Sequence, residues 1–82
     1  MINARFDPKF DKKFFKIKNK SLRIKIIKHL SKIKSNPEIG KPMMFSRKGT
    51  RELYIPPFRL SYVFLKKENV IVFLDLYHKN EQ

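Results

Sequence analysis

Apolar positions in this 82-residue chain change period partway along. From Phe10 to Ile33 they recur every three or four residues with lysines between them, the spacing of amphipathic helices. From Arg51 onward they alternate, or run together in β-branched and aromatic segments: RELYI, FRLSYVFL and VIVFLDLYH. That is the pattern of strands.

Local signals divide the helical half in two. Ile2–Phe6 reads as a short strand. Asp7-Pro8 then predicts a helix start, with Asp7 as N-cap and Pro8 at the first helical position. Phe10, Phe14 and Ile17 follow at helical spacing, and Phe10, Phe14 and Phe15 are expected in the core. Asn19–Ser21 interrupts the pattern and offers a second cap. Leu22, Ile26, Leu30 and Ile33, reinforced by Ile27, then mark a second amphipathic helix, and helices joined so closely should form a hairpin. Asn36-Pro37 ends it, because the residue before proline is pushed out of the α region. A loop to Pro42 follows, then a short extended piece at Met43–Phe45, a polar turn at Ser46–Thr50, and strands at about 51–55, 58–65 and 70–77. The expected fold class is α+β, in the order β-α-α-β-β-β, with a helical hairpin packed on one face of an antiparallel sheet. Residues 1–82 are read as a single domain.

Parity along the strands says which polar groups meet. A two-residue Pro56-Pro57 connection puts Glu52 and Tyr54 on the Arg59 face, whereas a three-residue connection puts Arg51 there. The next loop, Lys66–Asn69, has even length whether it closes at four residues or two. Either closure places Arg59 and His78 on one face, within roughly 8 Å between backbones. An odd loop or a bulge would send them to opposite faces. Asn69 suits either turn because asparagine tolerates a left-handed conformation.

Composition sharpens what that face could do. Twenty Lys plus Arg stand against seven Asp plus Glu, a formal net charge of +13, which favours a polyanion or an acidic protein as partner. The hydrophobic fraction of 41%, with eight Phe and three Tyr, supports one compact core rather than disorder. There is no cysteine, so disulfides, thiolate zinc sites and thiol catalysis are excluded. The two histidines and seven acids match no metal-ligand spacing, and no metal or other cofactor is expected. Val70–Leu74 is far too short to span a membrane, and MINARFDPKF lacks the apolar core of a signal peptide, so the cytoplasm is the expected location.

Arg59, a carboxylate from Glu52 or Glu38, and His78 are the parts of a metal-free RNA-cleaving site. The carboxylate, or a neutral imidazole, would take the proton of a ribose 2′-hydroxyl, the arginine would stabilise charge on the phosphoryl oxygens, and His78 would be the natural acid to protonate the leaving 5′-oxygen. Arg51, Lys41 and Lys79 add cations for RNA, and Tyr54 and Tyr77 add rings on which bases can stack. Tyr62 alternates with Leu60 and Phe64 and is read as core, and His29, mid-helix, as structural.

Phe58-Arg59-Leu60-Ser61-Tyr62, followed by the ending Tyr77-His78-Lys79, resembles the RelE/ParE superfamily of toxins. The family's penultimate strand carries a similar aromatic-Arg-aliphatic-x-Tyr motif, and its last strand commonly ends in His and a basic residue. The loop NPEIGKP, with Glu38, and the Tyr-His ending are similar to the YoeB branch. The resemblance implies the toxin of a type II toxin–antitoxin pair. It would be an endoribonuclease cleaving mRNA, typically at the ribosome, and silenced by a cognate antitoxin that wraps the basic surface. Arg59 would then be the phosphate-stabilising arginine and His78 the general acid. Two other readings remain: a ParE-like inhibitor of DNA gyrase, which needs no catalytic residues, and a non-catalytic RNA-binding module.

Overall fold

The computed structural model describes residues 2–43 and 49–78. Its elements are β1 (Asn3–Phe6), α1 (Pro8–Lys16), α2 (Lys20–Ser35), β2 (Lys41–Pro42), β3 (Arg51–Ile55), β4 (Phe58–Leu65) and β5 (Val70–His78).

Both helices start where the caps place them. The Asp7 carboxylate accepts from the Lys9 amide at 2.8 Å with Pro8 in the first turn, and the Asn19 side chain accepts from the Leu22 amide at 3.0 Å. Each bond satisfies an amide that a helix start would otherwise leave without a partner. Arg23 then ties the helices together. Its Nε donates to the Ile17 carbonyl, its Nη2 donates to the Phe15 carbonyl at 3.2 Å, and its guanidinium lies 5.4 Å from the centre of the Phe14 ring.

The strands form one sheet in the order β1-β5-β4-β3-β2. β2 to β5 pair antiparallel, as expected, but β1 joins the β5 edge in parallel, with Asn3 opposite Val70 and Phe6 opposite Phe73. A chain returning through two helices can lay its first strand beside the last in that direction. A short extended piece before β3 is Lys41–Pro42; of the expected Met43–Phe45, Met44 and Phe45, with positions 46–48 of the polar turn, lie outside the described residues. The core unites Phe10, Ile17, Ile26 and Ile33 of the helical half with Ile55, Leu60, Tyr62, Ile71, Phe73 and Leu76 of the sheet. Phe15 departs from expectation. It is 67% exposed, because Phe10 and Phe14 form the inward stripe of α1 and Phe15, one residue on, stands about 100° round the helix.

The long final hairpin contains the decisive irregularity. The Lys66–Asn69 loop closes with Leu65 opposite Val70, and Asn69 adopts φ 57°, the left-handed value its side chain tolerates. The register holds to Tyr62 opposite Phe73, then shifts, so that Ser61 faces Asp75 and Leu74 has no partner. A bulge of this kind adds one residue to one strand and resets its alternation. Without it Asp75 and Tyr77 would follow Ile71 and Phe73 into the core; with it Leu76 goes there instead, fully buried.

Candidate functional site on the open sheet face

The face opposite the helices carries the polar residues of β3, β4 and β5. The Pro56-Pro57 connection has two residues and a cis peptide bond, pairing Ile55 with Phe58 and Tyr54 with Arg59. The two-residue alternative is the one adopted, and Glu52 and Tyr54 share the Arg59 face. After the bulge Tyr77 lies opposite Arg59 on the other side. Tyr54, Arg59 and Tyr77 therefore form one row across three strands, with Glu52 one row on.

The side chains close into a cluster. Arg59 Nη1 lies 3.4 Å from Glu52 Oε1, and the guanidinium sits 5.5 Å from the centre of the Tyr54 ring. Tyr77 donates its hydroxyl to Glu52 Oε2. Glu52 is 6% exposed and Tyr77 8%, so a charge is buried between a cation and a phenol, the circumstance in which burial is tolerable. At 3.4 Å the Arg59 contact is longer than an ordinary N–H···O bond. Arg59 Nε is buried and has no hydrogen-bond partner among the described residues. That Nε is closed to solvent, so an anion would meet the exposed part of the side chain, which is 31% accessible, in the forked geometry a guanidinium offers.

The remaining expected residues fall elsewhere. Of the two candidate bases, Glu52 meets Arg59. Glu38 is exposed and lies 4.0 Å from Arg51 Nη2, while Arg51 Nη1 donates to the Glu38 and Gly40 carbonyls at 3.0 and 2.7 Å. Arg51 thus clamps the loop before β2 and stands opposite Tyr62 in the register, off the Arg59 face. Lys41 pairs with Glu52 in the β2–β3 register, adding a cation at the margin of the cluster. Lys79 lies outside the described residues.

His78 does not share the Arg59 face, which corrects the parity expectation. The bulge sets His78 opposite Phe58, where its ring packs edge-on at 5.8 Å between centres. Tyr77 differs too. Buried against Glu52 it presents no open ring, whereas Tyr54, 45% exposed, does.

Two residues matter in ways the sequence did not announce. Tyr77 matters as the hydrogen-bond partner of Glu52, a role that follows only once the bulge is known. Tyr62 is a core ring, as expected, but its hydroxyl also accepts from the Gly40 amide at 2.9 Å and donates to the Pro37 carbonyl at 2.7 Å. Burial pushes that hydroxyl's pKa above the ordinary value of 10.0, against the lowering effects of the Gly40 amide and the Arg51 charge. His29 contacts the Lys25 carbonyl through Nδ1 at 2.8 Å, in keeping with a structural residue. Among the described residues no group of three or more His, Asp or Glu gathers as metal ligands would, and no described helix is long and apolar enough to cross a membrane.

A helical hairpin on one face of a five-stranded, mostly antiparallel sheet is the architecture of RelE-type toxins. The toxin of the E. coli RelBE toxin–antitoxin complex superposes with a TM-score of 0.81 at 18% identity over 100% of both chains. A RelBE toxin–antitoxin complex from Mycobacterium tuberculosis gives 0.84 at 19% identity, over 95% of this chain and 98% of that one. YafQ from E. coli gives 0.72 at 17% identity, over 98% and 96%. At these identities the likeness carries the fold alone. No curated protein matches the sequence. The family is fixed by a match over residues 4–82 to the ParE toxin of the type II toxin–antitoxin system, parDE, and the chain belongs to that family. It is the toxin of a type II pair, with a cognate antitoxin as partner.

Proposed function

We propose that this toxin is a metal-free endoribonuclease that cleaves mRNA, in association with the ribosome, through attack of a ribose 2′-hydroxyl on the adjacent phosphate. One observation carries the reading: Arg59, with a buried unsatisfied Nε, contacts the buried carboxylate of Glu52 on the open sheet face, with Lys41 at its margin. In the proposed step the 2′-O–H bond breaks and its proton passes to Glu52, while the 2′-oxygen bonds to phosphorus. The P–O5′ bond breaks, and the 5′-oxygen takes a proton. The products are a 2′,3′-cyclic phosphate and a 5′-hydroxyl. Arg59 exchanges its long contact with Glu52 for the phosphoryl oxygens as charge grows on them. Tyr77 keeps the Glu52 carboxylate oriented, and Tyr54 offers a base its exposed ring.

The proton donor is assigned to His78 on chemistry, since imidazole is the side-chain type best suited to giving a proton near neutral pH. Its ring rests on Phe58, off the Arg59 face, so an unchanged rate in His78→Gln would pass that role to water. The test is in vitro cleavage of mRNA by purified protein, with and without programmed ribosomes, with product ends identified. Arg59→Ala should lower the rate on the order of 10²-fold or more. Glu52→Gln should do so by about 10²-fold or more. Unchanged rates in both variants would remove the assignment.

The family match favours a second reading, a ParE-like toxin that inhibits DNA gyrase without chemistry of its own. A gyrase supercoiling assay separates the two. Inhibition by the wild type that survives Arg59→Ala and Glu52→Gln, with no RNA cleaved, supports the second.

A further inference from the structure

Strand β1 closes one edge of the sheet, and its alternation says which way each side chain faces. Ala4 packs against the core, and Phe6 stacks on Phe73 at 5.3 Å between ring centres. Arg5, between them, therefore stands on the open face that carries Arg59. Register supplies its neighbours: Arg5 lies opposite Val72, and Val72 opposite Val63. Both valines are half-buried. Val72 alternates with the core residues Ile71 and Phe73, and Val63 with Tyr62 and Phe64, so both share the open face. Arg5 is exposed and, among the described residues, has no hydrogen-bond or ion-pair partner. The open face is thus polar at the Arg59 end, a β-branched apolar floor beyond it, and cationic again at the β1 edge.

We infer that Arg5 is a second phosphate site on the open face, holding the RNA a few nucleotides from the scissile phosphate while the intervening sugars and bases lie over Val63 and Val72. The inference rests on the reading of the Arg59 face as the place where RNA binds. Four residues along β4 separate Arg59 from Val63, and two strand intervals separate β4 from β1. That is about 13 Å along and about 10 Å across, or about 16 Å between the two arginine backbones. A stacked strand advances about 3.4 Å per nucleotide, so about five nucleotides cover the distance, and fewer if they unstack. Both ends of the path are guanidinium groups, whose forked donors fit phosphate oxygens. The acid of β5, Asp75, is paired with Lys13 at 3.3 Å, which offsets the repulsion it would present to a phosphate. RNA fits better than an acidic peptide, because the exposed Tyr54 ring on the same face rewards bases and offers a carboxylate nothing.

The probe is a fluorescent 2′-O-methyl oligouridylate, which lacks the attacking hydroxyl and stays uncut, at lengths of about three and about nine nucleotides. Anisotropy titrations at several salt concentrations compare the wild type with Arg5→Gln, Arg5→Lys and a charge-matched control on α1, Lys12→Ala. For the longer strand, Arg5→Gln should weaken binding about fivefold or more at low salt. It should also lower the slope of log affinity against log salt by about 0.7, the share of one phosphate. Arg5→Lys should keep the slope, and Lys12→Ala should change neither quantity. For the shorter strand, Arg5→Gln should cost no more than about twofold, because so short a strand cannot span both arginines and Arg59 still holds it. Circular dichroism checks that each variant stays folded. Equal losses at both lengths, a loss matched by Lys12→Ala, or an oligoglutamate peptide that displaces the longer strand as readily as unlabelled RNA does, overturns the path. Cleavage measured in parallel keeps the two proposals distinguishable. RNA that is cut with no length-dependent Arg5 effect removes the path alone; the length effect without any cleavage supports the path and removes the chemistry.

Discussion

At the scale of single residues, Tyr62 ties the core to the loop that leads into β2. Its hydroxyl bridges the Gly40 amide and the Pro37 carbonyl, and a Cβ built on Gly40 would lie 2.6 Å from that oxygen. Tyr62→Phe leaves the buried Gly40 amide and the part-buried Pro37 carbonyl short of a partner and should cost about 1–3 kcal/mol in chemical denaturation. Gly40→Ala should destabilise as well, since the blocking atom belongs to a side chain fixed in the core. The pH dependence has a definite sign. With its pKa raised in the folded state, Tyr62 contributes fully below the ordinary tyrosine value of about 10, and that stability is lost as pH rises through the folded pKa. Denaturation midpoints compared either side of pH ~10 should show a steeper alkaline loss in the wild type than in Tyr62→Phe. Parallel curves would contradict this. The tyrosine's burial was legible from its alternation with Leu60 and Phe64. Its hydroxyl's partners were not, because Pro37 and Gly40 come to it from a loop 25 and 22 residues away.

At the scale of elements, what was legible was local. Asp7-Pro8 and Asn19 announced both helix starts, and Pro56-Pro57 announced a turn, because each acts on backbone groups within a few residues. What escaped was set by cross-strand pairing. VIVFLDLYH reads as one apolar run, and nothing within it marks Leu74 as the residue without a partner. That single offset moves Tyr77 to Arg59 and His78 to Phe58, so the candidate site was legible only in part: Glu52 and Tyr54 beside Arg59 was one of two alternatives left open, and His78 was misplaced. β1 pairing in parallel with β5 was hidden for the same reason. The helical hairpin makes its own prediction. Arg23→Ala removes two donors to carbonyls and a guanidinium over Phe14, and should cost about 1–2 kcal/mol. For a domain of this size that lowers Tm by several degrees, on the order of 4–8 °C per kcal/mol. An unchanged calorimetric Tm would show the hairpin to be held by its apolar contacts alone.

At the scale of the whole molecule, a formal net charge of +13 is spread over a fold with two distinct faces. One holds a buried carboxylate and an arginine with one unsatisfied donor, the other isoleucines among lysines. Charge draws polyanions to both, and salt should weaken either association. What separates them is chemistry, and the central claim is that the Arg59 face performs it. The most direct measurement is 5′-end mapping of cellular mRNA by primer extension after brief induction of the toxin, wild type against an Arg59→Ala, Glu52→Gln double variant. Discrete cleavage ends in the wild type that vanish in the folded double variant are the predicted result. Growth arrest in the wild type with no new mRNA ends, or ends that persist undiminished in the double variant, would contradict it.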